Sequence, residues 1–462
     1  MLIEFAVENY RSFKKLTKLS MLSTKEGGLS HHRMRLASSK KKIYANKLGI
    51  LFGPNGSGKS NLLAAFGLMV QLVKKLGIQR MSEEPLSPPP RFPFRFDKEA
   101  HEKPTLFQVI FEQGGSFFRY GFTYASEGIE EEWLYTGAPE KENLVFHRQG
   151  LEPVKWGEDF KGEADLQKHI TRFSLVLTVG TELKAPVCQS ASVFFMGISC
   201  CDQSQWPFGL LFKDPHFYPV LIAMLQFADI GIENVECKEE PVGADDAFPK
   251  DMPEEIRSVV EAIRAKMKGK DLIRQQILFR HSTLGDELDA ADRTLSDSDE
   301  SDGTKTFLVL MYLLFQALQG NSLLLIDELE KGLHPLLVAG LLKFFTTVEG
   351  SRAQLLCGSH CSVIFSQDIV RRDELWIVEK DRNGESFLQS AVDFEASRAD
   401  ANLTRRYLEG RFGGIPLLEE TLLEQGRQTA EQALRSARDK AVRERLSSGR
   451  SGGCHAEGKP DA

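Results

Sequence analysis

The feature that most constrains the fold is a cluster of three glycines in LFGPNGSGKSNLL, residues 51–63. Glycine loses more backbone freedom on folding than other residues, so such a cluster marks a loop whose backbone approaches another group closely. The apolar run 47–52 before it predicts a buried strand, and the apolar-periodic run 60–76 after it predicts a helix. A strand, a Gly-x-x-x-x-Gly-Lys-Ser loop and a helix in this order form the P-loop pattern. We therefore expect an α/β P-loop fold.

The residues of this loop predict a site for nucleotide phosphates. Backbone N–H groups of a glycine loop form an anion-binding nest, and the positive end of the following helix points to the same place. Lys59 can reach the β- and γ-phosphates, and the Ser60 hydroxyl can bind Mg²⁺. The alternative, a glycine-rich turn without a ligand, is disfavoured by the strand and helix that flank the loop. The predicted binding residues are Gly53, Pro54, Asn55, Gly56, Ser57, Gly58, Lys59, Ser60 and Asn61.

A second motif, LLLIDE at 323–328, ends a predicted strand with two carboxylates. A P-loop site needs an aspartate that holds the metal at the end of a neighbouring strand, and Asp327 fits that position. Glu328 would orient and deprotonate the attacking water. Strands often end in acidic residues by chance, so this motif carries weight only together with the P-loop.

Lys59 and Asp327 lie much farther apart along the chain than in a minimal P-loop domain, which predicts an insertion. Short runs separated by glycine turns predict three antiparallel strands within 104–135, and another hairpin is expected at 143–157. The stretch 163–275 is predicted to be mainly helical. The predicted divisions are the first part of an ATPase head with the P-loop and antiparallel strands (1–160), a mainly helical insertion (161–280), the second part of the head (281–416), and a charged helix with a disordered tail (417–462).

The composition is that of an ordinary soluble protein, with 42% hydrophobic and 27% charged residues among 462. A net charge of −7 excludes a global basic field that would recruit nucleic acid, although a local patch could still do so. No apolar run is long enough to span a bilayer, and the first residues do not resemble a secretory signal. Seven cysteines without paired CxxC spacing argue against a zinc site or a disulfide framework. We expect a cytoplasmic protein with no membrane partner.

Three further segments resemble those of ABC-type ATPases. ESDGT at 300–304 precedes a predicted helix and resembles the ABC signature, in which the serine and glycine contact the γ-phosphate held by the opposite subunit; these are Ser301 and Gly303 here. Asp302 departs from the usual glycine, and we expect it to cap the helix locally. His360 follows a predicted strand, where ABC-type enzymes place a histidine that contacts the γ-phosphate. The segment 330–335 stands where they have a dimer-contacting D-loop. The alternatives are an ordinary capped helix and a structural histidine.

Six segments in this order, ENYRSF (8–13), the P-loop, SDGT, LLLIDELEKGLHP, the His360 segment and YLEGRFGGIP (407–416), resemble a bacterial AAA-family ATPase of the ABC-type, RecF/OLD-like group, found in anti-phage and abortive-infection loci. The resemblance covers roughly residues 1–416. It implies ATP and Mg²⁺ as cofactors and a homodimer or higher homo-oligomer formed through the ATP sites. It also implies control of an effector, such as a Toprim-type nuclease or another toxin. OLD proteins carry a Toprim nuclease at the C-terminus, and too few residues follow Pro416 here, so the effector is expected on a separate chain.

Several assignments stay open between two hypotheses. Arg11 either approaches the nucleotide, as in the related heads, or is a surface arginine. Tyr10 either stacks on adenine or belongs to the core, which we favour, and Gln108 is a weak candidate for a Q-loop residue. The run Lys40–Lys42 is either a solvated turn or a contact to a phosphate backbone. The acidic stretch 285–302 is solvated, or instead mimics nucleic acid or docks a basic partner.

Two functions therefore compete. The first is an ATPase switch or scaffold that controls a separate effector. The second is a DNA-repair or DNA-end ATPase of the RecF/SMC kind, which would bind nucleic acid. An ABC transporter head is disfavoured because no membrane-spanning segment is present.

Overall fold

A computed structural model describes residues 1–25, 28–78, 90–158, 160, 163–201, 214–242, 272–282, 289, 293–394, 403–416 and 420–448. The chain divides into two compact units, Met1–Ile415 and Pro416–Ala462. The first unit contains both the P-loop and the Asp327 motif. The described part of the second unit contains one long helix, α10 (Glu420–Ser448). The predicted disordered tail after this helix lies outside the described residues.

The centre of the first unit is a six-stranded sheet in the order β11-β15-β16-β5-β17-β18. All neighbouring strands are parallel except β18, which runs antiparallel to β17. The inner strands β5, β15 and β16 are buried along their whole length, as expected for parallel strands covered on both faces. The bounds are β5 (Leu48–Phe52), β11 (Ser199–Cys201), β15 (Leu323–Ile326), β16 (Gln354–Gly358), β17 (Leu375–Lys380) and β18 (Ser386–Ser390).

Alternate residues of this sheet enter two different hydrophobic cores. Leu51 packs with α1 (Lys59–Ile78) and with the antiparallel sheet, in a core that includes Phe66. Ile50 and Phe52 face the opposite side, where α7 (Asp302–Gly320) and α8 (Pro335–Thr347) cover the sheet. This arrangement fixes the carboxyl ends of the central strands at one edge of the sheet.

A seven-stranded antiparallel sheet packs on the α1 side, in the order β10-β9-β8-β7-β6-β1-β2. It confirms the three strands predicted within 104–135 and the hairpin predicted at 143–157. The N-terminal strand β1 joins it beside β6. The bounds are β1 (Leu2–Glu8), β2 (Thr17–Ser20), β6 (Thr105–Gln113), β7 (Ser116–Ala125), β8 (Gly128–Ala138), β9 (Lys141–Gln149) and β10 (Lys155–Trp156).

The prediction of a mainly helical stretch at 163–275 is wrong for part of the described residues. The long strands β12 (Ile232–Val242) and β13 (Leu272–His281) pair there, and β14 (Thr294–Ser296) adds a third strand. Alternating apolar residues such as Ile277 and Phe279 are buried, which is the strand period that the sequence prediction overlooked. In addition, β11 lies within this stretch and forms the edge of the central sheet. Residues 243–271 of the predicted helical stretch lie outside the described residues.

The remaining described elements are short. Among the described residues no helix combines the length and the apolar character needed to cross a membrane. The other strands and helices are β3 (Arg33–Arg35), β4 (Tyr44–Asn46), α2 (Lys98–Glu102), α3 (Glu163–Gln167), α4 (Val176–Glu182), α5 (Pro186–Met196), α6 (Phe217–Phe227), α9 (Leu403–Leu408) and the 3₁₀ turns Ser30–His32, Ser362–Ile364, Arg372–Glu374 and Ala391–Asp393.

Candidate nucleotide-binding site

The glycine loop connects β5 to α1, and its glycines are required by close contacts behind the loop. A Cβ atom on Gly53 would lie 2.2 Å from the backbone oxygen of Val378, on β17. A Cβ atom on Gly58 would lie 2.4 Å from Oγ of Ser386, on β18, and the φ angle of Gly58 is +120°. Ser386 also donates a hydrogen bond to the Ser57 carbonyl at 2.5 Å. Strands β17 and β18 therefore hold the loop in place, and only glycine fits at these two positions.

Lys59 begins α1 and is buried, with its ammonium turned back over the loop. Nζ donates to the carbonyl oxygens of Gly53 at 2.8 Å and Pro54 at 3.2 Å. Burial lowers the pKa of Lys59, while the carboxylates of Asp327, Glu330 and Glu328 act in the opposite direction. The cation of the loop therefore lies within the field of the acidic groups that the second motif contributes.

Ser60 lies exposed in the first turn of α1, and Asp327 follows the last residue of β15. These two groups were predicted to hold Mg²⁺. Within the described part of the chain, no three His, Cys, Asp or Glu side chains come together as a metal cage. Magnesium is commonly held by one or two carboxylates together with substrate phosphates and waters. The residues present fit that mode of binding rather than a cage made only of protein ligands.

The strand that carries Asp327 is not the direct neighbour of the P-loop strand, contrary to the sequence prediction. Strand β16 lies between β15 and β5 and pairs with both in parallel. A Cβ atom on Gly358, the last residue of β16, would lie 2.7 Å from Asp327 Oδ1. Glycine at this position therefore leaves room for the aspartate across the intervening strand.

Glu328 is exposed and has a φ angle of +53°, which is uncommon for a residue with a side chain. The surrounding main chain fixes this conformation. Leu329 N–H donates to the Gly358 carbonyl at 3.0 Å, and Lys331 N–H donates to the Glu328 carbonyl at 3.0 Å. Left-handed residues other than glycine concentrate at functional sites, where the surrounding structure holds them.

His360 lies just beyond the end of β16, as predicted. Burial lowers the pKa of His360, and the nearby Lys59 ammonium lowers it further, while Glu330, Glu328 and Asp327 oppose the shift. The imidazole is therefore favoured in its neutral form near pH 7. Glu330 lies in the predicted D-loop segment, and its hydrogen bond to His360 was not predicted from the sequence. The Glu330 carboxylate accepts a hydrogen bond from the backbone N–H group of His360.

Ser301 is the N-cap of α7, and its Oγ accepts a hydrogen bond from Thr304 N–H at 3.0 Å. The expectation that Asp302 caps the helix is wrong. Its side chain is 98% exposed and pairs instead with Lys305 at 2.9 Å. The reason is that a capping side chain must belong to the non-helical residue that precedes the first turn, and that residue is Ser301.

Gly303 packs against the turn that follows Glu328. A Cβ atom on Gly303 would lie 2.8 Å from the Gly332 carbonyl oxygen, and Gly332 has a φ angle of +72°. The start of α7 and the predicted D-loop segment are therefore in direct contact within one chain. Ser301 and Asp302 are exposed, so this end of the helix lies at the surface.

Tyr10 is 1% exposed and belongs to the core, as the favoured hypothesis predicted. Gln108 lies inside β6 and accepts a hydrogen bond from Trp133 Nε1 at 3.3 Å, so it is not a loop residue. The Arg11 guanidinium contacts the P-loop helix through Asn61 Oδ1 at 3.3 Å. Lys40, Lys41 and Lys42 are exposed, and residues 285–288 and 290–292 of the acidic stretch 285–302 lie outside the described residues.

Comparisons with known proteins find a matching family and similar solved structures. A family model described as "AAA domain, putative AbiEii toxin, Type IV TA system" matches residues 50–174 and 214–366, which is more than half of the chain. No curated protein matches. Among solved structures, the SMC head domain from Thermotoga maritima is similar at 14% identity and a TM-score of 0.38, covering 84% of this chain and 98% of that one. An SMC head bound to the C-terminal winged-helix domain of ScpA is similar at 12% identity and a TM-score of 0.37, covering 84% and 97%.

Proposed function

Because the chain belongs to the family of AAA domains described as putative AbiEii toxins of type IV toxin–antitoxin systems, we propose that it hydrolyses ATP and acts as an ATP-dimerised switch. One observation carries the proposal. The Lys59 ammonium, the Asp327, Glu328 and Glu330 carboxylates and the His360 imidazole come from three separate stretches and act on one another electrostatically at one edge of the central sheet. A lysine at a glycine loop, a carboxylate that can hold Mg²⁺ and a further carboxylate that can accept a proton from water are groups that catalyse phosphoryl transfer to water.

Each group has a distinct part in the proposed reaction. The loop amides and Lys59 bind the triphosphate, and Lys59 then exchanges the Gly53 and Pro54 carbonyls for phosphate oxygens. Ser60 and Asp327 would hold Mg²⁺, which supplies neutralisation of the phosphate charge when bound. Glu328 accepts a proton from the attacking water, and the neutral His360 donates a hydrogen bond to the γ-phosphate.

The exposed start of α7 supports a site shared between two chains. Ser301 presents a hydroxyl at the positive end of a 19-residue helix. Ser301 and Asp302 are exposed, so a second copy of the protein could contact this end of the helix. In the proposed dimer, Ser301 and Gly303 of one chain contact the γ-phosphate held by Lys59 of the other. ATP would then bring the two heads together, and hydrolysis would release them.

The switch is proposed to control a separately encoded effector of an anti-phage system, a Toprim-type nuclease or another toxin, in the cytoplasm. The family description, which names a putative AbiEii toxin of a type IV toxin–antitoxin system, supports a toxin–antitoxin role over a DNA-repair role. Stimulation of the ATPase by duplex DNA with a steep salt dependence would instead favour the alternative.

The experiment compares wild-type protein with Lys59→Ala and Glu328→Gln. We expect Glu328→Gln to bind ATP but hydrolyse it roughly 10²–10⁴-fold more slowly, because the base is lost while the phosphate ligands remain. It should therefore accumulate as an ATP-dependent dimer in light scattering. Lys59→Ala should neither bind ATP nor dimerise. Equal ATP affinity in Lys59→Ala and wild type would refute the site assignment.

A further inference from the structure

Two phenylalanines, Phe92 and Phe96, lie exposed in one short segment. Phe92 is 38% exposed and Phe96 is 74% exposed. Single exposed apolar side chains are ordinary on protein surfaces. Phe92 differs from them because its backbone and its ring both contact Arg11, which in turn contacts the P-loop helix.

Arg11 joins Phe92 to the nucleotide-binding loop. Its Nη1 donates to Oδ1 of Asn61, two residues after Lys59, at 3.3 Å. The same guanidinium lies 5.2 Å from the centre of the Phe92 ring and 5.5 Å from that of Tyr10. The Arg11 N–H group donates to the Phe92 carbonyl at 2.6 Å. One guanidinium therefore separates the phosphate-binding end of α1 from the Phe92 ring.

The segment that carries Phe92 is held in place on both sides. Arg91 donates to the Lys103 carbonyl at 2.6 Å, and Phe94 N–H donates to Asn9 Oδ1 at 3.0 Å. The Asn9 amide in turn donates to the Ala100 carbonyl at 2.7 Å. The ENYRSF motif thus supplies three supports for this segment, because Asn9 anchors it, the Tyr10 ring meets Phe92 edge-on at 6.0 Å, and Arg11 bonds its backbone.

We propose that Phe92, backed by Arg11, is the residue on which the base of the bound nucleotide stacks. The inference rests on the proposed ATP-binding function of the P-loop. With the triphosphate in the loop, the ribose and base extend outward past the start of α1, where Asn61 and Arg11 lie. Aromatic rings and guanidinium planes are the protein groups that stack on nucleobases. Tyr10, the aromatic residue that the sequence suggested, is buried beneath this surface and is excluded from such a contact.

Stacking does not depend strongly on which base is present, because every base has a π-face. The proposal therefore predicts that Phe92 contributes to the affinity for nucleotides but not to the affinity for a bare polyphosphate. This difference distinguishes stacking from a structural role, because misfolding of the loop would weaken the binding of both ligands equally.

Isothermal titration calorimetry with Mg²⁺-ATP and with Mg²⁺-tripolyphosphate tests the proposal on the full chain. Three variants are needed: Phe92→Ala, Phe92→Tyr and Phe96→Ala. Phe96 is the matched control because it is more exposed, lies in the same segment and packs beside Gly384 rather than Arg11. We expect Phe92→Ala to weaken ATP binding roughly ten-fold or more. Tripolyphosphate affinity should change less than about two-fold, and Phe92→Tyr and Phe96→Ala should bind both ligands like wild type.

Two results would overturn the stacking proposal. They are unchanged ATP affinity in Phe92→Ala, or an equal loss for ATP and tripolyphosphate. A wild-type protein that binds neither ligand would instead refute the nucleotide site itself, so the two failures are distinguishable.

Discussion

Replacing Gly358 by alanine should damage catalysis much more than folding. The added methyl group would lie 2.7 Å from Asp327 Oδ1, and its next neighbour, Leu63 Cδ1, is at an ordinary 3.7 Å. The carboxylate oxygen must therefore move by roughly 0.7 Å to reach ordinary van der Waals contact at 3.4 Å. Because an aspartate side chain can rotate away, the free energy of unfolding should fall by only about 1 kcal/mol, the low end for overpacking.

The effect on the reaction should be larger, because a displacement of about 1 Å in a catalytic site can cost roughly a hundred-fold in rate. We expect the ATPase rate of Gly358→Ala to fall about ten- to a hundred-fold, and the Mg²⁺ concentration that gives half of the maximal rate to rise. A steady-state phosphate-release assay over a Mg²⁺ titration, with thermal unfolding in parallel, measures both effects.

Gly67→Ala is the matched control for this substitution. Gly67 lies inside α1, and among the described residues a Cβ atom there would come within 4 Å of Cys200 Sγ alone, at 3.6 Å. Alanine should stabilise this helix by roughly 0.5–1 kcal/mol and leave the ATPase rate unchanged. A Gly358→Ala protein with wild-type rate and wild-type Mg²⁺ dependence would refute the placement of Asp327 at the metal.

Three further predictions concern other parts of the molecule. Burial and Lys59 lower the pKa of His360 from its usual 6.5, so the imidazole stays neutral until the pH falls below 6.5. In a pH–rate profile, the loss of activity caused by protonation of His360 should therefore appear only below pH 6.5. His360→Gln should remove this acidic limb of the profile. Ser301→Ala should cost about 1 kcal/mol in chemical unfolding as a lost N-cap, whereas Asp302→Ala should leave the unfolding midpoint nearly unchanged; equal costs would contradict the capping assignment. Truncation after Ser448 should leave the ATPase rate at the wild-type value, since the residues removed lack the apolar content to pack, and lost activity in a soluble truncated protein would contradict this.

The parts of the fold and of the site that depend on residues close together in the sequence could be predicted from it. The P-loop could be predicted from the spacing of its glycines and from the strand and helix that flank it. The position of His360 just beyond a strand could be predicted because an apolar run precedes it. The antiparallel strands within 104–135 were equally accessible, because their glycine turns are short.

The errors arose where the answer depends on packing between distant segments. The position of β16 between the P-loop strand and the Asp327 strand is a matter of sheet order, which no local pattern specifies. The contact of Glu330 with His360 and that of Arg11 with Phe92 likewise join residues far apart in sequence. The capping role of Ser301, by contrast, could be predicted from the sequence, because Ser301 stands three residues before Thr304, from whose N–H group it accepts a hydrogen bond.

The central claim, that two chains share each ATP site, is tested most directly by mixing two inactive variants. Gly303 is unsuitable for this purpose, because a side chain there would meet Gly332 of its own chain. Ser301 is exposed, so Ser301→Arg blocks a partner's phosphate at the cost of one N-cap. Lys59→Ala supplies the second defect, in the loop that binds the phosphates.

Each variant alone should have no ATPase activity. If sites are shared, a mixed dimer carries both defects in one site and has the other site intact, so random pairing should restore up to roughly a quarter of the wild-type activity. ATP binding by the isolated mixed dimer, measured alongside, shows whether one site is intact even if both must act together. Recovery of ATP binding with or without hydrolysis is the predicted result. Mixed dimers that hydrolyse no ATP, and bind no more of it than the average of the two variants measured alone, would contradict the shared site.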